Sequence, residues 1–136
     1  MAKAQTIMIV DDDADDIELF CDALKEVDDS IKCICSINGE DALDKLSNGN
    51  EPPDYIFLDL NLPRLNGKQC LQRIKANLKL RHIPVIIYTT SKLKEDMEET
   101  KRMGALMFLT KPNRSSELRK AISFILQGKY EVANNG

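Results

Sequence analysis

Ile7-Met8-Ile9-Val10-Asp11-Asp12-Asp13 and Tyr55-Ile56-Phe57-Leu58-Asp59 decide how this chain folds. Each is a short, unbroken apolar run that ends in acid. Such runs fit strands buried on both faces, as in a parallel sheet covered by helices. Ligands of an open parallel sheet bind in the crevice outside the carboxyl ends of its strands. If these two strands are neighbours, Asp11, Asp12 and Asp59 converge on one spot. Like charges held that close repel strongly unless a cation sits among them. Oxygen-only ligands favour a hard cation such as Mg²⁺, which keeps waters that a phosphate can replace. Acids at a sheet edge with Mg²⁺ point to phosphoryl chemistry.

Working outward, the alternation is regular. Strand candidates are residues 6–10, 31–36, 54–59, 84–90 and 105–110, and helical patterns lie between and after them. Ile17, Phe20, Cys21 and Leu24 recur at helical spacing and give one buried stripe. Ala42, Leu43 and Leu46 give a shorter one, closed by Ser47-Asn48-Gly49. A third stripe, Leu71, Ile74 and Leu78, opens after Gly67. The last is Leu118, Ala121, Ile122 and Ile125, with Ser115 as N-cap, Glu117 in its first turn and Gly128 at its end. Residues 92–103 form the weak helix, because Leu93, Met97 and Met103 are its only sizeable apolar groups. Five βα units imply an α/β fold with a parallel sheet, right-handed crossovers and helices on both faces.

At 136 residues the chain is read as one domain with a core at about residues 6–127 and a polar, fraying tail over 128–136. Output then comes from this domain's own surface. The net charge of −3 is interspersed along the chain, which argues against a nucleic-acid footprint or a membrane-surface patch. No apolar run is long enough to span a bilayer, and Met1-Ala2-Lys3-Ala4-Gln5 lacks the apolar core of a signal peptide, so a cytoplasmic protein is expected. Of the four cysteines, Cys33 and Cys35 sit two apart in a strand-like run and are read as facing opposite sides, unable to chelate together. Cys21 and Cys70 fall in helical patterns, and His82 alone leaves no zinc site to build. Free thiols are the reading.

Four features fall at strand ends: Asp11-Asp12, Asp59, Thr89 and Lys111. With Val10-Asp11-Asp12, Asp59-Leu60-Asn61-Leu62-Pro63-Arg64-Leu65-Asn66-Gly67, Val85-Ile86-Ile87-Tyr88-Thr89-Thr90 and Phe108-Leu109-Thr110-Lys111-Pro112 in order, the chain resembles the receiver domain of bacterial two-component response regulators. The resemblance extends from Ile7 to about Gln127. It implies a flavodoxin-like, doubly wound five-stranded parallel sheet of order 2-1-3-4-5 flanked by five helices. It also implies a phosphoacceptor rather than an enzyme, with only self-phosphorylation from a phosphodonor and autodephosphorylation as its chemistry. Asp59 is then the phosphoacceptor. Mg²⁺ is bound by Asp12, Asp59 and the Asn61 backbone carbonyl, with Asp11 acting through water. Lys111 pairs with the phosphoryl group, and its bond to Pro112 would be cis, which an X-Pro bond tolerates cheaply. Thr89 turns toward the phosphoryl oxygens and Phe108 follows, changing the surface of helix four, strand five and helix five. The family often carries tyrosine at the Phe108 position; this chain has no phenol there.

Leu60-Asn61-Leu62-Pro63-Arg64, Leu80-Arg81-His82-Ile83-Pro84-Val85 and Thr89-Thr90-Ser91 are similar to single-domain regulators that partner bacteriophytochrome-type kinases. The implied partners are a sensor histidine kinase or phosphotransfer protein and a downstream protein target, and the resemblance is compatible with a homodimer. Asp13, Asp15 and Asp16 are read as cap and first-turn acids of helix one, and His82 as a turn residue. Three other functions compete. A Mg²⁺-dependent aspartate phosphohydrolase of the haloacid-dehalogenase type needs an acid two residues after its nucleophile, where Asn61 stands. A flavodoxin-like cofactor site needs a phosphate loop after strand one, which Asp11-Asp12-Asp13 would repel. A phosphate-independent receiver-like scaffold would not need every acceptor residue in place.

Overall fold

The computed structural model describes residues 5–49 and 51–128. The tail expected over 128–136 lies outside them, apart from Gly128. Chain order is β1 (Thr6–Val10), α1 (Ala14–Val27), β2 (Lys32–Ser36), α2 (Gly39–Asn48), β3 (Tyr55–Leu58), α3 (Gly67–Ala76), β4 (Val85–Thr89), α4 (Lys94–Arg102), β5 (Met107–Thr110) and α5 (Ser115–Leu126). The strands form one parallel sheet of order β2-β1-β3-β4-β5, as expected.

Alternation along each strand divides the core in two. Met8, Val10, Ile56 and Leu58 pack against α2 and α3 with Ala42, Leu71 and Ile74, while Ile7, Ile9 and Phe57 pack against α1 and α5 with Phe20, Leu24 and Ile122. Side chains on a strand change face at every residue, so one apolar run fills both layers. Phe20 of α1 meets Phe57 and Tyr88 at ring-centroid distances of 4.8 and 5.6 Å, which locks α1 over the middle of the sheet. No helix among the described residues is long and apolar enough to cross a membrane.

Three local expectations need correction. Helix α3 stops at Ala76, and Asn77 turns the chain by accepting the Lys79 amide at 2.8 Å on its side chain. Leu80 and Ile83 are buried there instead, and Leu78 is left 75% exposed. In α5 the cap position belongs to Arg114, whose carbonyl accepts the Glu117 and Leu118 amides; Ser115 is the first helical residue, and Arg114 supplies no side-chain cap. The Lys111–Pro112 bond is trans, as are all peptide bonds among the described residues. Trans is the lower-energy isomer for an X-Pro bond, and Lys111 reaches its partners from it.

Candidate functional site

Asp11 and Asp59 leave the sheet side by side because β1 and β3 pair with Val10 opposite Leu58. The Asp59 amide donates to the Val10 carbonyl and the Asp11 amide to the Ser36 carbonyl, each at 3.0 Å, so the backbone ladder continues one residue past the strands. Both carboxylates are then aimed by local amides. Asp11 Oδ1 accepts the Asp13 N–H at 2.9 Å, and Asp59 Oδ1 accepts the Asn61 N–H at 3.1 Å. Asp13 in turn caps α1 by accepting the amides of Asp15 and Asp16.

Gly67 sets the other wall. A Cβ there would lie 2.2 Å from the Asp59 carbonyl oxygen and 2.5 Å from Leu60 Cα. Only glycine lets α3 begin this close to the acid-bearing loop, and the Gly67 amide donates to the Leu60 carbonyl at 3.0 Å. Arg64, in the same loop, holds a left-handed backbone with φ of 60°.

Lys111 closes the site from β5. Its amide donates to the Thr89 carbonyl at 2.7 Å. Its Nζ donates to Asp11 Oδ2 at 2.6 Å, Asp16 Oδ2 at 2.8 Å and Asp59 Oδ2 at 3.0 Å. An ammonium has three N–H donors, and all are engaged by carboxylates. Burial alone would lower the Lys111 pKa; the hydrogen bonds it donates to Asp11, Asp16 and Asp59 outweigh it, and the lysine is held above its ordinary value. Burial pushes the Asp11 carboxyl up despite the ammonium beside it. The Tyr88 ring lies 5.5 Å from Nζ, and burial pushes its phenol up to about 12.

The anticipated residues fall as follows. Asp11, Asp12 and Asp59 each offer a carboxylate oxygen within 4.8 Å of the others; Asp11 and Asp59 are buried and Asp12 is exposed. Thr89 closes β4, the next strand, and is fully buried; its Oγ1 is without a hydrogen-bond partner. Phe108 is half-buried in β5 and lines a groove with Met97, Thr100 and Lys101 of α4. Asp16 is the residue that sequence reasoning left as a first-turn acid. It occupies that turn, and it also reaches Lys111. Its signal was position: an acid in the first turn after Asp11-Asp12 projects from the sheet's carboxyl end. The acids around Lys111 and the cluster therefore number four, Asp11, Asp12, Asp16 and Asp59, rather than three.

All four cysteines are free thiols, as expected, but the placement of Cys33 and Cys35 on opposite faces is overturned. Residues two apart on a strand share a face, and Cys33 and Cys35 both point to α1. There they meet Cys21 at Sγ–Sγ distances of 3.1 and 3.6 Å, with 4.0 Å between Cys33 and Cys35.

The model of the response regulator receiver domain matches residues 7–123. The chain belongs to that family. It is 32% identical over 108 residues to the polar-differentiation response regulator DivK of Brucella anthropi, covering 79% of this chain and 85% of that one. Among solved structures the receiver is similar to the phosphorylated cyanobacterial phytochrome response regulator RcpA, with a TM-score of 0.83 at 28% identity over 90% of this chain and 91% of that one. It also superposes on the bacteriophytochrome response regulator AtBRR with a TM-score of 0.75 at 30% identity, covering 89% and 91% of the two chains. Receiver domains are signalling modules of two-component systems that take phosphoryl groups from histidine kinases.

Proposed function

We propose that this receiver accepts a phosphoryl group on Asp59 from a histidine kinase and passes the change to a partner through the surface of α4, β5 and α5. The observation that carries the reading is the Lys111 ammonium bridging two buried carboxylates, Asp11 and Asp59, at the carboxyl end of the sheet. An isolated acid there would be a turn residue; a pair of acids held by one lysine is a built electrostatic site.

The donor set fits a hard divalent cation. Asp11, Asp12 and Asp59 present oxygens only, close together, and the Asn61 carbonyl follows in the same loop. Mg²⁺ held by these groups would supply charge neutralisation for the incoming phosphoryl oxygens. An Asp59 carboxylate oxygen attacks the phosphorus of the donor phosphohistidine in line. The P–N bond breaks, and the leaving imidazole takes up a proton. The product is an acyl phosphate, and the residue's charge goes from one negative to about two. Lys111 can pair with a phosphoryl oxygen only by giving up one of its three carboxylates. Asp16, the most exposed of them at 30% against 0 and 6% for Asp11 and Asp59, loses least on release.

The unpartnered Thr89 hydroxyl supports the switch. A buried hydroxyl without an acceptor costs free energy, which a strong acceptor arriving at the site would recover. Phe108 then has room to move inward, and α4 is the element beside it. The likeness to phytochrome regulators supports a phytochrome-type sensor kinase as donor, with the protein acting in the cytoplasm as one receiver domain.

The test is intact mass after incubation with Mg²⁺ and acetyl phosphate. One added, hydroxylamine-labile phosphoryl group is expected, lost in Asp59→Asn, whose side chain is nearly isosteric. Equal labelling of Asp59→Asn would remove the assignment. No labelling of the wild type would leave a scaffold, and multiple turnovers without an adduct would make the protein a hydrolase. Beryllofluoride should alter hydrogen exchange in residues 92–111; a change confined to α1 and α2 would put the output face elsewhere.

A further inference from the structure

The sulfurs of Cys21, Cys33 and Cys35 converge on one point between α1 and the edge strand β2, away from the acids. We propose that this triad is a binding site for a soft, thiophilic d¹⁰ cation, with Cu(I) the best fit. Three of the chain's four thiols are gathered here, all half-buried, while Cys70 is alone and buried in the opposite layer. Soft thiolate ligands select Cu(I) and Zn(II) over the hard cations that carboxylates take. A metal–sulfur bond of about 2.3 Å puts neighbouring sulfurs about 3.8 Å apart in a tetrahedral site and about 4.0 Å in a trigonal one. The observed separations are 3.1, 3.6 and 4.0 Å, so an ion is accommodated by small rotations of Cys21. Three thiolates satisfy Cu(I) outright, whereas Zn(II) would need a fourth ligand from solution. Binding forms three metal–sulfur bonds, and each thiol gives its proton to the buffer. Among the described residues β2 is the edge strand of the sheet, and the three thiols are only half-buried, which leaves an entry path.

The experiment uses the full chain, reduced and then freed of reductant without oxygen, with Cu(I) or Zn(II) added alone. Native mass should show one metal per chain. N-ethylmaleimide labelling of Cys21, Cys33 and Cys35, mapped by peptide mass, should fall at least tenfold together on loading. Cys33→Ser should lose the stoichiometric metal and leave Cys21 and Cys35 reactive, with its circular dichroism unchanged. Should Cys33→Ser not fold, the wild-type labelling map decides by itself. Two results overturn the proposal: no protection of the three thiols by either metal, or uptake of neither metal together with a Cys21–Cys33 disulfide formed in air, which would make the cluster a redox pair. Neither outcome bears on Asp59 phosphorylation.

Discussion

Helices α1 and α4 flank the same sheet and are built in opposite ways. Helix α1 runs for 14 residues, is capped by Asp13 and buries Phe20, Ala23 and Leu24. Helix α4 runs for nine, follows Leu93 at a cap position that offers no side-chain bond, and buries only Thr100. The Thr100 hydroxyl bonds within its own helix, to the Asp96 carbonyl at 2.8 Å. What ties α4 to α3 is polar: Lys68 bridges Asp96 at 2.7 Å and Glu99 at 2.6 Å. Surface ion pairs of this kind contribute little, about 0–1 kcal/mol each. A deeply packed helix fixes the carboxylates, and a thinly anchored one beside Phe108 is the cheap element to displace. The fold sets a deeply packed helix beside the acids and a thinly anchored one beside Phe108.

The largest effect should come from the rigid side. Lys111→Met leaves Asp11 and Asp59 buried and unpaired, and breaking a buried pair in this way costs about 3 kcal/mol or more. The pH dependence has a definite sign. A carboxyl whose folded pKa is raised binds more protons in the fold than in the unfolded chain, so stability rises as pH falls through that folded value. Burial already raises Asp11, and loss of Lys111 raises it further. Urea denaturation should therefore show the deficit of Lys111→Met widest at pH 7 and narrower at pH 5, with Mg²⁺ recovering part of it at pH 7. A deficit independent of pH would mean that the lysine acts by packing alone.

Gly67→Ala should come next, at about 2 kcal/mol from overpacking, because its Cβ would meet the Asp59 carbonyl at 2.2 Å. The loop must shift, so phosphorylation should slow along with the drop in the denaturation midpoint. If the variant keeps both within error, the loop yields more easily than the comparison with α4 requires.

Much of this was legible in the chain. Apolar runs marked the strand positions, because a strand buried on both faces has nowhere to hide a polar residue except at its ends, and the family resemblance supplied the strand order. Lys111 and Thr89 were placed at strand ends by the same reasoning, and they lie there. Two of the misses, Asp16 and the cysteines, share a cause: they depended on where a side chain reaches, not on its element. Asp16 was assigned to the correct turn, yet its bond to Lys111 spans 95 residues of sequence. The cysteines were placed in the right strand and helix, and period-two alternation was misapplied to them. Leu78 matched the spacing of α3, but Asn77 ended the helix first.

Lys68→Met tests the mobile side. The Asp96 and Glu99 pairs share one ammonium, so losing both together should cost about 1 kcal/mol. Hydrogen exchange in α4 should speed up by roughly fivefold at most, with α1 unchanged. Acceleration spread evenly over α1 and α4 would show that they unfold as one unit, and the contrast between them would fail.

The smallest effect concerns Thr90, which follows β4 and is exposed. It lines a groove with Lys111, Pro112 and Lys92, and Lys111 bonds Asp59, so the test is whether its branched side chain slows the approach of water or of a partner's catalytic group to an acyl phosphate on Asp59. Thr90→Ala removes that bulk without opening a cavity, and stability should stay within about 0.5 kcal/mol. The acyl phosphate should be lost about threefold faster, which corresponds to ~0.7 kcal/mol on the barrier. The decay of the phosphorylated mass with time, measured in Mg²⁺ after removal of the donor, gives the rate directly. An unchanged rate would place the barrier to water with the groups around Lys111 and Asp16 rather than with the residue after Thr89, and lifetime would then belong to the rigid half of the molecule.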